Sequence, residues 1–277
     1  MPEQFELFNQ PHEDGFWSGI GGHFNNFSQV VCEFIDNSVA NFIQYHLSQK
    51  TIQITLEKVN EIVKVKIEDT GTGIVDLNRS FTIGGKDKNA PSLNEHGFGL
   101  KHALATADNS NSNWAVSTRT KELIENGSYD EVSAKYMISG YYSKRFNTNE
   151  KKWPGDFHGT GTIIEFDASK ELFHSLSKGI RGRTTRFSSL VNIFIEDLGF
   201  YYSGIIETGS ANIVVKVIDN GNDEIYTVPS LKPEFIKYYE PAHGQVDYDL
   251  GNGEVTIKYS FGKIKPKSNA KRYYKAN

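Results

Sequence analysis

Four short segments contain the polar and glycine residues whose types and spacing could support chemistry. In chain order they are Glu33-x-x-Asp36-Asn37, Asp69-x-Gly71-x-Gly73, Gly97-Phe98-Gly99-Leu100-Lys101 and Gly159-Thr160-Gly161-Thr162. Each alone is weak evidence, because these residue types are common in turns and on helix surfaces. Their order, and the kinds of element expected to carry them, favour a single composite site.

The first segment is expected on an amphipathic helix. Asn25 or Asn26 is a candidate N-cap, and apolar residues then recur with a helical period. At about 100° per residue, Glu33, Asp36 and Asn37 share one face, away from the apolar stripe. A carboxylate there can accept a proton from water, and an amide oxygen one turn away can bind Mg²⁺. The alternative is a plain amphipathic helix with a solvated polar face.

The second segment follows an apolar strand expected over residues 62–67. An aspartate at the end of a strand, Asp69, could accept a hydrogen bond from the exocyclic amine of adenine. Gly71 and Gly73 would allow the backbone to approach a flat base closely. The alternative is an ordinary turn at the end of a strand.

The third segment lies at the start of a helix expected over residues 100–107. Backbone N–H groups at a helix N-terminus bind phosphate, glycine permits close approach, and Lys101 adds a positive charge. The preceding polar stretch, residues 84–95, has the composition of a lid that closes over a ligand. The alternative is a glycine-rich hinge beside an exposed lysine.

The fourth segment leads into a strand expected over residues 162–166, where the Thr162 hydroxyl could reach adenine through a water molecule. The alternative is a turn followed by a β-branched start of a strand. The sequence contains neither G-x-x-x-x-G-K-[ST] nor G-x-G-x-x-G, so the two commonest phosphate-binding loops are excluded.

The elements that must position these segments alternate between helices and strands. Residues 1–24 show no sustained period and are expected to form an extended arm. Further strands are expected over residues 51–56, 114–120, 133–139, 213–218, 225–228 and 255–261, with a basic helical stretch over 168–180. The predicted domains are therefore the arm, 1–24, a first domain over 25–169 and a second over 170–277.

Composition limits the class of protein. The 277 residues carry a net charge of −4, which argues against a surface dedicated to nucleic acid over the whole chain. Cys32 is the only cysteine, so no disulfide can form within the chain. No apolar run approaches the ~18 residues of a membrane helix, and no secretory signal is visible. The expected location is the cytoplasm.

The four segments resemble the boxes of a known superfamily. EFIDNSVA, EDTGTGI, HGFGLKHA and GTGTIIEF are similar to the N, G1, G2 and G3 boxes of the GHKL ATPases. This superfamily includes gyrase B subunits, MutL proteins, ninety-kilodalton heat-shock chaperones, histidine kinases and MORC ATPases. The GFGLKHA form looks most like the MORC branch. The stretch LGFYYSGIIETGSANIVVKV is similar, more weakly, to the transducer domain of gyrase-like and MORC-like proteins.

The resemblance implies a Bergerat fold, an α/β (α+β) two-layer sandwich with a mixed sheet, followed by a partial, transducer-like α/β domain. ATP would bind with Mg²⁺ between the helices and the lid. Glu33 would be the general base and Lys101 the second catalytic candidate, while Asn37 would bind the metal. The other implied ATP-binding residues are Asp36, Asp69, Gly71, Gly73, Gly97, Phe98, Gly99, Leu100 and Thr162. Transducer domains usually supply a lysine to the γ-phosphate, and Lys263, Lys265, Lys267 and Lys271 are the candidates.

Three functions are compatible with these features. The first is an ATPase whose turnover drives lid closure and homodimerisation of a larger machine, with DNA, chromatin or a protein as client. The second is an idle nucleotide-binding scaffold, which Glu33 argues against because an idle site need not keep a base. The third is a histidine-kinase-type phosphotransferase, which would need a phospho-accepting histidine helix upstream. No membrane partner is expected.

Overall fold

The computed structural model describes residues 13–82, 97–134, 143–146, 152–178, 185–232, 235–236, 242–249 and 254–263. The helices are α1 (Glu13–Ile20), α2 (Phe27–Gln44), α3 (Leu77–Phe81), α4 (Gly99–Ala107), α5 (Lys121–Glu125), α6 (Lys170–His174), α7 (Phe187–Tyr201) and α8 (Ser203–Glu207), with a 3₁₀ turn at Ser175–Ser177. The strands are β1 (Thr51–Val59), β2 (Ile62–Asp69), β3 (Trp114–Arg119), β4 (Ser128–Ser133), β5 (Ser143–Phe146), β6 (Gly161–Ala168), β7 (Asn212–Asp219), β8 (Asn222–Thr227), β9 (Ala242–Asp249) and β10 (Glu254–Phe261).

Eight strands form one twisted sheet in the order β5-β4-β3-β6-β2-β1-β7-β8, and β9 and β10 form a separate hairpin. In the large sheet β1 and β7 are parallel, whereas every other neighbouring pair is antiparallel. Helices α2, α4 and α7 contribute to the same buried core as the strands. This arrangement confirms the predicted α/β sandwich with a mixed sheet.

Helix α2 is the central helix of the sandwich. The Asn26 side chain accepts a hydrogen bond from the Ser28 backbone N–H at 2.7 Å, which caps the helix as predicted. Such a cap stabilises a helix by about 1 kcal/mol. One side of α2 is fully buried, including Phe27, Val31 and Phe42. The other face of α2, which carries Glu33, Asp36 and Asn37, is only half-buried.

Helix α1 corrects the predicted extended arm for residues 13–20, whereas residues 1–12 of that arm lie outside the described residues. Trp17 is 2% exposed, its Nε1 donates to the Asp108 carbonyl at 2.8 Å, and its ring stacks on Trp114 at 5.7 Å. Phe81 stacks on Trp114 too, at 5.9 Å. Two turns anchored by one tryptophan are too short to show a hydrophobic period, so the sequence pattern missed this helix.

The large sheet continues across residue 170, where a domain boundary is predicted. Strand β7 pairs with β1 from Thr51↔Asn212 onward, so residues from both predicted domains share one sheet. Helix α7 packs on α2 through the rings of Phe27 and Phe194, whose centroids are 5.2 Å apart. The boundary itself, and the likeness of residues 170–277 to a transducer, remain predictions.

Other sequence predictions meet the structure in part. Strand β4 ends at Ser133, the first residue of the strand expected over 133–139. Residues 135–139 lie outside the described residues, so that strand stays a prediction. The predicted lid, residues 84–95, also lies outside them, as do Lys265, Lys267 and Lys271. Lys263 is described, and its carbonyl accepts a hydrogen bond from the Ile236 N–H at 2.8 Å.

Candidate active site

An open cavity of about 220 Å³ lies on the helical side of the sheet. Helix α2 forms one wall, the end of β2 and the start of β6 form the floor, and α3 and α4 form the other walls. The residues from the four segments that line it are Asn37, Asp69, Gly73, Gly97, Leu100, Lys101 and Thr162. Parts of all four segments therefore meet at this cavity, whereas Glu33, Gly71, Phe98 and Gly99 are not among its lining residues.

The Asp69 carboxylate is held by three protein donors. Oδ2 accepts from the Ser38 hydroxyl at 2.9 Å, and Oδ1 accepts from the backbone N–H groups of Gly71, at 2.8 Å, and Thr162, at 3.2 Å. Burial raises the pKa of Asp69, although these hydrogen bonds oppose the shift. Thr162 thus contacts Asp69 directly through its backbone. The role predicted for its hydroxyl, reaching adenine through a water molecule, stays a prediction.

Glycines around Asp69 allow backbone segments to approach one another. Gly73 adopts φ 77°, and a Cβ there would lie 2.6 Å from the Arg119 carbonyl oxygen. A Cβ at Gly71 would lie 2.7 Å from Asn41 Oδ1. Both glycines are therefore favoured by close packing, and at Gly73 the left-handed backbone conformation also favours glycine.

Two residues missed by the sequence analysis bridge α2 and this turn. The Asn41 amide donates from Nδ2 to Thr72 Oγ1 at 2.8 Å, and its Oδ1 accepts from the Thr72 N–H at 2.9 Å. Both residues line the cavity. Their signal was present, because Asn41 lies one helical turn beyond Asn37 and Thr72 lies between two motif glycines.

Glu33 faces the start of α4. A Cβ at Gly99 would overlap the Glu33 carboxylate, so the absence of a side chain at position 99 makes room for this group. Burial, followed by the nearby charge of Asp36, raises the pKa of Glu33. The arrangement places a carboxylate of increased basicity directly against a helix N-terminus.

Asn37 is oriented by the same helix. Its Nδ2 donates to the Glu33 carbonyl at 2.8 Å, which directs the amide. Oδ1, the atom that a Mg²⁺ ion would use, has no hydrogen-bond donor among the described residues. An oriented amide oxygen in a polar cavity fits a hard cation that brings further ligands of its own.

Lys101 lies inside the protein. The residue is 2% exposed, and Nζ donates to the Ser80 carbonyl at 2.8 Å, near the C-terminus of α3. Burial lowers the pKa of Lys101 to about 8. Lys101 lines the cavity, and its hydrogen bond to Ser80 only partly replaces the hydration that the ammonium group loses on burial.

The structure separates Asp36 from the cavity. Asp36 Oδ1 accepts from the Tyr202 hydroxyl at 2.8 Å, and this hydroxyl also lies 2.9 Å from the Cys32 carbonyl. Its place is therefore at the contact between α2 and the end of α7. Phe98 is 37% exposed and stacks on His102, whereas Leu100 lines the cavity as expected. The predicted nucleotide-binding role of Asp36 stays untested, but its side chain is already bound elsewhere.

Residues 25–135 match a family model described as histidine kinase-, DNA gyrase B-, and HSP90-like ATPase. The matched range contains Glu33, Asn37, Asp69 and Lys101, and it supports the GHKL superfamily for this part of the chain. The match does not distinguish among the branches of the superfamily. A comparison with curated proteins gave no significant match.

The described residues contain no group of three or more histidine, cysteine, aspartate or glutamate side chains arranged to hold a metal ion. Among the helices of these residues, none combines the length and the apolar character required to cross a membrane.

Proposed function

We propose that this chain binds ATP with Mg²⁺ in the cavity and hydrolyses it, with Glu33 as general base. The observation that carries the proposal is the contact of the Glu33 carboxylate with Gly99, at the N-terminus of α4. The proposed base and the oriented amide oxygen of Asn37 lie one turn apart on α2. The Glu33 carboxylate lies against the start of α4, whose N–H groups can bind phosphate.

The adenine end of the site has one acceptor position to spare. An ionised carboxylate has about four lone-pair sites, and three protein donors already engage Asp69. The remaining site can accept the exocyclic amine of adenine. The donors around Asp69 also fix its direction, which favours a purine that presents a donor over one that presents a carbonyl.

The phosphate end combines charge and proton transfer. Backbone N–H groups at the start of α4 and the Lys101 ammonium attract phosphate oxygens. Asn37 would hold Mg²⁺, which neutralises charge on the phosphates when bound. Glu33 accepts the proton of the attacking water, and its raised pKa makes it a stronger base than an exposed glutamate.

The wider proposal is that turnover drives closure of the lid, residues 84–95, and formation of a homodimer. It is supported by the resemblance of the four segments to gyrase-like and MORC-like proteins. The same resemblance makes DNA or chromatin the proposed client.

Replacing the base separates binding from chemistry. Glu33→Ala should retain ATP binding while turnover falls by about 10²–10⁴-fold, the usual cost of losing a general base. Phosphate release and calorimetric ATP titration would be measured on the same preparations. Glu57→Ala is the control, because Glu57 lies on β1 outside the cavity. Wild-type turnover in Glu33→Ala, with contaminating ATPases excluded, would show that another group is the base.

A further inference from the structure

A network on the opposite face of the sheet supports the adenine end of the cavity. We propose that Glu68, Arg119 and Trp153, here called the clamp, are positioning residues that set the adenine selectivity of the site. Glu68 and Arg119 project from the sheet onto residues 152–160, here called the far-face loop. This loop contains Trp153 and leads into β6. The inference rests on the proposed function, because it concerns the same nucleotide.

Glu68 is the most deeply buried member of the clamp. Its side chain is 0% exposed, and its two carboxylate oxygens accept the backbone N–H groups of Asp156, at 2.9 Å, and Phe157, at 2.8 Å. A Cβ at Gly155 would overlap both the Glu68 carboxylate and the Trp153 indole. The loop is therefore seated directly on the carboxylate, and only a glycine at 155 permits this approach.

Arg119 holds the next part of the loop. Its guanidinium donates to the carbonyl groups of Phe157, at 3.0 Å, and Gly159, at 2.6 and 2.9 Å. The same guanidinium lies 4.3 Å from the Trp153 ring centre, and the Trp153 Nε1 donates to the Phe157 carbonyl at 3.1 Å. Both termini of the far-face loop are fixed by side chains that project from the sheet.

The loop connects the clamp with Asp69. Thr160 donates from Oγ1 to the Gly71 carbonyl at 2.6 Å, and two residues later the Thr162 N–H donates to Asp69. Gly71 gives Asp69 its other backbone donor. A displacement of the loop would thus move two of the three donors that orient the adenine-binding carboxylate.

The chemistry of the clamp favours positioning over simple stability. A buried carboxylate carries a large desolvation cost, and well-packed apolar residues often stabilise a fold equally well. Glu68 and Asp69 are consecutive on β2, so one side chain faces the loop and the other faces the cavity. A charged, directional contact at this place fixes the geometry of the loop in a way that an apolar contact would not.

Two variants test the proposal at different links of the network. Glu68→Gln preserves shape but has one carbonyl oxygen to accept two N–H donors. Thr160→Val removes the hydroxyl that binds Gly71 and leaves the clamp intact. Glu57→Gln is the matched control, because Glu57 faces the same side of the sheet from neighbouring strand β1. Calorimetry would measure the affinity of each full chain for ATP, GTP and inorganic tripolyphosphate, all with Mg²⁺.

Both variants should lose about 5- to 30-fold in ATP affinity, the effect of losing one or two net hydrogen bonds at the base. Tripolyphosphate affinity should stay within about twofold of wild type, because the phosphate end is untouched. The preference for ATP over GTP should fall accordingly. In the nucleotide-free protein, the Gly71 and Thr162 amides should exchange hydrogen faster in Glu68→Gln than in the control.

The possible results separate a failure of this inference from a failure of the proposed ATP-binding function. Unchanged ATP affinity in folded Thr160→Val overturns the inference, as does an equal loss for ATP and tripolyphosphate. If Glu68→Gln does not fold, Trp153→Phe, which removes the Nε1 donor to the Phe157 carbonyl, tests the clamp in its place. A wild-type chain that binds no ATP overturns the proposed function and this inference with it, whereas a wild type that binds ATP but shows no selectivity change in either variant overturns the inference alone.

Discussion

Neighbouring side chains on β2 have different tasks because a strand alternates its faces. The Asp69 carboxylate lines the cavity and accepts hydrogen bonds from Ser38, Gly71 and Thr162. The Glu68 carboxylate accepts hydrogen bonds from the far-face loop on the other side of the sheet. In both cases the hydrogen-bond partners of the carboxylate oxygens are N–H or O–H donors. Substitutions that keep size but add a donor are therefore the most informative.

Asp69→Asn adds such a donor. The amide would turn an NH₂ group toward either the protein donors or the adenine amine, and one polar group would remain unpaired. We expect ATP affinity to fall by roughly 1–3 kcal/mol, the usual cost of an unpaired buried polar group. Calorimetry on a variant with a cooperative thermal transition would measure it, and unchanged affinity there would exclude Asp69 as the adenine contact.

Nucleotide binding is expected to depend on pH through Lys101. Burial lowers its pKa to about 8, so in the free protein the ammonium is charged below pH 8 and loses its charge above it. Because the charged form attracts phosphate, the Kd for MgATP should increase from pH 7 to pH 9, by at most about tenfold per pH unit. Bound phosphate raises the pKa of a nearby lysine, which moves the transition upward.

The comparison for this pH effect is Lys101→Met. ATP and buffer groups also titrate in this pH range. Their contribution to the change of Kd with pH remains in Lys101→Met, so the variant measures it. A steeper rise of Kd with pH in the wild type than in Lys101→Met supports the assignment. Parallel profiles for the two proteins would contradict it.

At the scale of elements, the sequence predicted those whose pattern is local. Helix α2, strands β1 and β2, and the start of α4 follow from periodicity and from turn residues, and Asn26 caps α2 as expected. Helix α1 was missed because its fold depends on Trp17 reaching Trp114 across the chain. The sequence predicts no role for residues 152–158 of the far-face loop, since nothing local indicates that Glu68 binds them.

Asp36, on the correctly predicted helix α2, also has a partner that the local sequence does not reveal. Helical geometry placed it near Glu33 and Asn37, but the position of Tyr202, far along the chain, decides its partner. The cavity residues Asn41 and Thr72 had a local signal and could have been found. The partner of Asp36 could not, because a helix face does not reveal which distant element covers it.

The contact between α7 and α2 can be tested through Tyr202. Tyr202→Phe leaves the half-buried Asp36 without its hydroxyl donor, so we expect a loss of about 1 kcal/mol in the free energy of unfolding. Tyr201→Phe, at a neighbouring residue that is 52% exposed, should change it by less than about 0.5 kcal/mol. Denaturant unfolding of both variants gives the comparison, and equal midpoints would mean that the Tyr202 hydroxyl contributes nothing to the docking of α7.

At the scale of the whole molecule, ATP should change the assembly. The arm docks on α4 through Trp17 and through the Thr106 hydroxyl, which donates to the Gly21 carbonyl at 2.7 Å. Because α4 also carries the proposed phosphate-binding residues, lid closure is expected to release or reposition the arm. The protein should be mainly monomeric alone and dimeric with a non-hydrolysable ATP analogue and Mg²⁺.

Two measurements address this prediction. Light scattering reports the mass, and hydrogen exchange should show protection of residues 84–95 when the analogue is added. Unchanged exchange at saturating analogue contradicts the ordering of the lid. A constant mass with a protected lid contradicts dimerisation alone.

The parallel pairing of β1 with β7 also bears on how the chain is made. During synthesis Thr51–Val59 leaves the ribosome long before Asn212–Asp219 is available to pair with it. Until then one edge of β1 is an open row of backbone donors and acceptors, which is a template for pairing with other chains. The nucleotide-binding region is therefore expected to rely on chaperones while it is a nascent chain, and fragments that end before β7 are expected to aggregate.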